Sequence, residues 1–333
     1  MSCNSESLSM QVFSSVVRKI GVLISLVFAV ITASSNAFAA PIKAVVTVGM
    51  VADIVKTVGG DDVDVTTLMG SGVDPHSYRQ TRSDVGLLAS ADIIFANGLH
   101  LEAQLDELLH KLSKRKHVVF VSDELPADDL IEAEGFSGRY DPHVWMDPSL
   151  WQKSVAIVRD ALIKAAPDHT VNFEKRAAAL ASDMTRFADS VSAMMKTVPN
   201  VKRVLITAHD AFSYFGHAFN VEVIGIQGLS TDSEAGLNRI ERMVKTLVDR
   251  KIEAVFVESS VSEQNIKALI EGAAVQDHKV AIGGTLFSDA MGVDGTFEGT
   301  YLGMIDHNAT TITRALGGTA PDRGITGQLT PSS

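Results

Sequence analysis

Apolar positions along the chain fall into two textures. Short β-branched and apolar runs occupy 44–48, 63–68, 91–97 and 118–121, and again 201–207, 221–226, 252–257 and 279–282, with helix-like or loop segments between them. Near-continuous apolar strands alternating with helices predict parallel sheets covered on both faces, since a strand buried on both sides has no polar side to alternate with. The rhythm occurs twice, which predicts an α/β fold of two lobes, each a mainly parallel sheet with flanking helices. Between the two sets, Phe173, Ala177, Leu180, Met184, Phe187, Val191 and Met194 recur at spacings of four and three. That one-sided stripe predicts a helix over about 170–196. At about 1.5 Å per residue it runs on the order of 40 Å, long enough to join the lobes and to limit hinge motion. The expected organisation is a signal segment at 1–39, an N-terminal lobe at 40–168, the connecting helix at 169–198 and a C-terminal lobe at 199–318. A Gly-, Pro-, Ser- and Thr-rich tail at 319–333 is expected to be poorly ordered.

The first 39 residues have a different logic. Arg18 and Lys19 precede an apolar run from Ile20 to Ala33, and Ala37-Phe38-Ala39 supplies a small-x-small cleavage site, the pattern of a secretory signal cut before Ala40. The run is short for a bilayer span of roughly 20 residues. The single cysteine, Cys3, lies inside this segment, so disulfides and thiolate metal ligation are excluded from the exported chain. No cysteine stands at the cleavage point to carry a lipid, which points to a free periplasmic protein without a lipid anchor. The segment carries Glu6, Arg18 and Lys19, a net +1, so its removal takes the formal charge from −11 to −12. An acidic balance argues against nucleic acid or anionic membranes as partners and suits a cationic ligand.

Two identical tripeptides carry the first candidate chemistry: Asp74-Pro75-His76 and Asp141-Pro142-His143. Proline fixes its own φ and pushes the preceding Asp into extended backbone, so each histidine sits at a stiff, repeatable position outside a helix. Tyr78 and Trp145 follow two residues later as candidates for shielding a site from water. Asp147 before Pro148 reads as an N-cap with proline at the first helical position. His209 follows the 204–207 run, and Asp289 follows the 279–282 run. Ligands in open α/β sheets bind beyond the carboxyl ends of strands, and two facing lobes bring residues from both sides to one point. Three imidazoles and one carboxylate satisfy a four-coordinate divalent ion without thiolate. His100 and Glu102 are read either as groups orienting a ligand imidazole or as loop-packing and capping residues. Glu258, at the end of a buried-looking strand, is expected to cap the following helix. His110, His117, His169, His217, His278 and His307 read as structural or exposed.

The segments Gly-Val-Asp-Pro-His-Ser-Tyr (72–78), Asn-Gly-Leu-His-Leu-Glu (97–102), Asp-Pro-His-Val-Trp-Met-Asp-Pro (141–148), Thr-Ala-His-Asp-Ala-Phe-Ser-Tyr-Phe (207–215), Phe-Val-Glu-Ser-Ser (256–260) and Phe-Ser-Asp-Ala-Met-Gly (287–292) occur in one order over about 44–316. Together they resemble the zinc and manganese solute-binding proteins of ABC transporters, the TroA-like branch most closely. The resemblance implies two lobes joined by one long helix, with zinc or manganese as the transported ligand held between them by His76, His143, His209 and Asp289. It also implies delivery to an ABC transporter permease with its cytoplasmic ATPase, and a monomeric carrier. Two departures bear on the metal. Dedicated manganese carriers often have glutamate where His209 stands, and dedicated zinc carriers often have a histidine- and acid-rich loop that is absent between Asp74 and Asp141.

Three histidines and an acid are also the inventory of a zinc hydrolase. Catalytic zinc keeps one position open to water, whereas here protein fills four. Neither a His-Glu-x-x-His helix nor a Gly-x-Ser-x-Gly elbow is present, so no enzyme is expected. An adhesin-like surface role is the other alternative, and it would need a way to stay at a surface.

Overall fold

The computed structural model describes residues 40–133, 138–232 and 235–330; residues 1–39, read from sequence as a signal segment and including Cys3, lie outside them. β1 (Ile42–Val48) leads directly into α1 (Gly49–Gly59), followed by β2 (Val63–Met69), α2 (Arg82–Ser90), β3 (Ile93–Ala96), α3 (Asp106–Ser113) and β4 (His117–Phe120). The four strands form a parallel sheet in the order β2-β1-β3-β4, with Ala44 opposite both Val65 and Ile93. From Ala44 to Val48 every residue of β1 is buried, as is all of β3, which is why these strands read as unbroken apolar runs.

α4 (Pro148–Ala165) begins where its sequence says it should. Asp147 accepts hydrogen bonds from the backbone N–H groups of Ser149 and Leu150, and proline takes the first helical position. α5 (Thr170–Met195) is the long helix, 26 residues, or about 39 Å. It buries Phe173, Ala177, Met184, Phe187 and Val191 as the stripe predicts, packing on α1 and α4 at one lobe and on the last helix at the other. Arg176 pins it to the first lobe by donating to the carbonyls of Val58 and Gly59 and to Asp62.

In the second lobe, β5 (Val204–Thr207), α6 (Ser213–Phe219) and β6 (Glu222–Gly225) precede α7 (Leu237–Arg250), β7 (Ala254–Glu258), α8 (Gln264–Ala274), β8 (Ala281–Leu286) and α9 (Tyr301–Ala315). β5 pairs in parallel with β6 and β7 with β8, while β5 lies beside β7 without a hydrogen-bonded ladder. This lobe therefore has two parallel pairs rather than one continuous sheet. β8 runs past the predicted end at 282, through Gly283 and Gly284. The glycines that look like breakers are there because α9 packs against them: a Cβ on Gly284, at φ +151°, would sit 2.4 Å from Thr311 Cγ2.

One apolar core runs from the first sheet through α4 and α5 to Phe256, Leu286, Tyr301 and Ile305, and a second lies under α7 and α8. Up to Thr330 the tail is not the poorly ordered segment expected. Buried Asp306 accepts from Ile325 N, Thr326 N and Thr326 Oγ1, and Leu329 is buried. A carboxylate on α9 supplies the partners that a tail of this composition lacks by itself.

Candidate metal centre

The two Asp-Pro-His tripeptides fold alike. Asp74 Oδ1 accepts from His76 N at 2.9 Å and Asp141 Oδ1 from His143 N at 2.9 Å, so each Asp closes a turn around its proline and aims the histidine. His209 stands two residues beyond β5, where Thr207 Oγ1 donates to its carbonyl at 2.8 Å. Asp289 stands three residues beyond β8; two residues before it, both backbone groups of Phe287 are held by the side-chain amide of Asn308 on α9. These four residues, each at most 2% exposed, bring one ligand atom apiece within 4.8 Å of one another.

Their spacing is that of a coordination shell. His76 Nε2 and His143 Nε2 are 3.2 Å apart, His143 Nε2 is 3.3 Å from Asp289 Oδ1, His209 Nε2 is 3.1 Å from Asp289 Oδ2, and His76 Nε2 is 3.9 Å from the same oxygen. Four ligands at about 2.1 Å in a tetrahedron stand roughly 3.4 Å apart, inside this range. His209 Nε2 and both oxygens of Asp289 have no aligned hydrogen-bond partner although fully buried. They are close to one another but point at a common centre, and such orphaned buried groups call for an ion.

Behind two of the imidazoles sits a carboxylate. Asp141 Oδ1 is 2.7 Å from His143 Nδ1, and Glu258 Oε2 is 2.6 Å from His209 Nδ1 while Oε1 accepts from His209 N at 2.9 Å. Each carboxylate fixes the tautomer with the proton on Nδ1, leaving Nε2 to face the centre. Burial alone would lower both histidines. Asp141 and Asp289 outweigh it at His143, pushing it up to about 9, and Asp289 and Glu258 raise His209 well above its usual value. Burial dominates at His76 and takes it down to about 4. Asp289, though burial opposes its charge, is held well below the carboxylate range, chiefly by His209 and His143. Without metal, positive charge therefore resides on His143 and His209, and neutral His76 can accept from His143 Nε2.

The family model for zinc-uptake complex component A, periplasmic (ZnuA), matches residues 44–315. The chain belongs to this family. It is 44% identical over 270 residues to the manganese-binding lipoprotein MntA of Bacillus subtilis (strain 168), covering 81% of this chain and 88% of that one. It is equally 44% identical, over 272 residues, to the zinc-binding protein TroA of Treponema pallidum (strain Nichols), covering 82% and 88%. The solved structure of the periplasmic zinc binding protein TroA from Treponema pallidum matches with a TM-score of 0.81 at 43% identity, over 83% of this chain and 99% of that one. Overall similarity thus does not separate a zinc carrier from a manganese carrier within the family.

The remaining predicted positions divide. Trp145 packs edge-on to His143, ring centroids 5.3 Å apart, and its Nε1 donates to Ser288 O at 3.0 Å, tying the His143 loop to the Asp289 loop. Tyr78 instead donates to Asp84 at 2.8 Å, in the capping box of α2. His100, at φ +61°, points out to Asp106 at 2.5 Å. Glu102 touches no imidazole: it accepts from Thr47 Oγ1, Asn97 N and Gly98 N, and Asn97 Nδ2 in turn donates to Pro142 O beside His143. Glu258, read from sequence as a helix cap, is the carboxylate behind His209. The signal available was an acid at the end of an all-apolar strand, which burial obliges to find a partner.

Proposed function

We propose that the chain is the extracytoplasmic metal-binding component of an ABC uptake transporter. It holds one zinc or manganese ion through His76, His143, His209 and Asp289 and delivers it to a membrane permease driven by a cytoplasmic ATPase. The observation that carries this is the convergence of four buried ligand atoms, with His209 Nε2 and both oxygens of Asp289 left without an aligned hydrogen-bond partner, in a member of a metal-uptake family. All donors come from protein, so no position is left for the water that a hydrolytic zinc needs. Three imidazoles favour zinc over manganese in intrinsic affinity, while availability and release at the permease decide the physiological cargo. The two lobes, read as 40–168 and 199–318 about the connecting helix, each supply two ligands.

We read the carrier as free in the periplasm, without a lipid anchor, since Cys3 precedes the signal's apolar run and no cysteine stands beside Ala40. Relatives named lipoproteins make this testable by fractionating cells with and without detergent. For the main reading, metal-stripped protein is titrated with zinc and with manganese in competition. One ion per chain, zinc the tighter, is expected; absence of stoichiometric binding to either would remove the assignment.

A further inference from the structure

The three histidines of the cluster are not held equally. The Nδ1 atoms of His143 and His209 are each within 2.7 Å of a buried carboxylate, and Trp145 covers the His143 ring. Among the described residues, no carboxylate but Asp289 comes within 4.0 Å of a ring nitrogen of His76. His76 is also the member of the four that lines a cavity of about 280 Å³, walled by Tyr140 and Pro142 from one lobe and by Leu229 and Ser230 from the other.

The turn that carries His76 is tied across the lobes at a partly buried point. Asp74 holds His76 N through Oδ1, and its Oδ2 accepts from Thr231 Oγ1 at 2.5 Å. Water at the rim competes for such a hydrogen bond far more readily than for the buried Glu258–His209 contacts. A ligand leaves a four-coordinate ion one group at a time, and the group least restrained and nearest open space goes first. An incoming water, or an imidazole or carboxylate of an acceptor, then reaches the metal through the same cavity.

Resting on the metal-binding reading above, we propose that the ion enters and leaves past His76, and that the Thr231–Asp74 hydrogen bond is the latch between the lobes that sets the exchange rate. Asp74 is thus a positioning residue: it aims His76 when the latch is closed and carries it aside when the latch opens.

The test uses the full exported chain loaded with zinc, with release into excess EDTA followed by stopped flow and affinity measured by equilibrium competition. Thr231→Val keeps the side-chain shape and removes the donor. Both association and dissociation should speed up by about fivefold, the worth of one hydrogen bond, while the dissociation constant moves much less. Ser230→Trp, at an exposed position on the cavity wall, should slow both rates without weakening binding. Thr246→Val, on the far helix α7, should change neither. Unaltered rates in Thr231→Val, or no slowing in Ser230→Trp, would overturn the latch and the route while leaving one-to-one zinc binding, and the carrier reading, intact. Failure of the unmodified chain to bind zinc would remove both.

Discussion

Single side chains decide both whether metal binds and what competes with it. Glu258 and Asp141 act through the histidines they hold, so Glu258→Gln and Asp141→Asn should each weaken zinc by about 10- to 100-fold, read by competition calorimetry, with the circular dichroism spectrum unchanged. Asp141 and Asp289 raise His143 to about 9, and Asp289 and Glu258 raise His209 well above its usual value, so at neutral pH zinc must displace protons. Affinity should therefore climb with pH through neutrality and flatten for His143 above about 9. Titrations in buffers of different ionisation enthalpy should show net proton release at pH 7; a buffer-independent heat would contradict it. The sign for stability is opposite. A histidine raised in the folded state stabilises fully below its unfolded value near 6.5, and that contribution is lost as pH rises through about 9, so metal-free protein should lose thermal stability over that window. The four clustered side chains were legible in sequence as candidates because proline and strand ends announce stiff positions. The carboxylates behind two of them were not, because Glu258 and His209 are 49 residues apart and only the packing of β5 beside β7 brings them together.

At the scale of elements, the apolar runs located all eight strands of the described residues, and the 3.6-residue stripe placed the long helix to within a residue at its end. Periodicity reports burial, and these elements are buried on the faces it identified. It says nothing about which strands share hydrogen bonds, so the division of the second lobe into two parallel pairs was not visible. Nor was the passage of β8 through Gly283 and Gly284, which depends on how closely α9 approaches. Gly284→Ala should therefore destabilise the fold by about 1–3 kcal/mol in urea unfolding, through both its φ and the contact with Thr311, and should loosen the segment leading to Asp289. Phe173, fully buried on α5, should cost about 3–5 kcal/mol as Phe173→Ala, whereas Val171→Ala on the exposed face should stay within about 0.5 kcal/mol.

For the molecule as a whole, the continuous core and the long helix tie the lobes together, so metal exchange is expected to proceed by local movement rather than wide opening. Small-angle scattering profiles with and without zinc should nearly superpose. Zinc at about 100 times its dissociation constant should add about 2.7 kcal/mol of stability, seen as a concentration-dependent rise in melting temperature that Asp289→Ala abolishes. All of this rests on four named side chains holding one ion, and the most direct test is the zinc K-edge absorption spectrum of the one-to-one complex. The structure predicts a low-coordinate site with three imidazole nitrogens and carboxylate oxygen at about 2.0–2.2 Å, and loss of one imidazole shell in His209→Ala. An oxygen-only, water-rich shell, or a spectrum unchanged in His209→Ala, would contradict it.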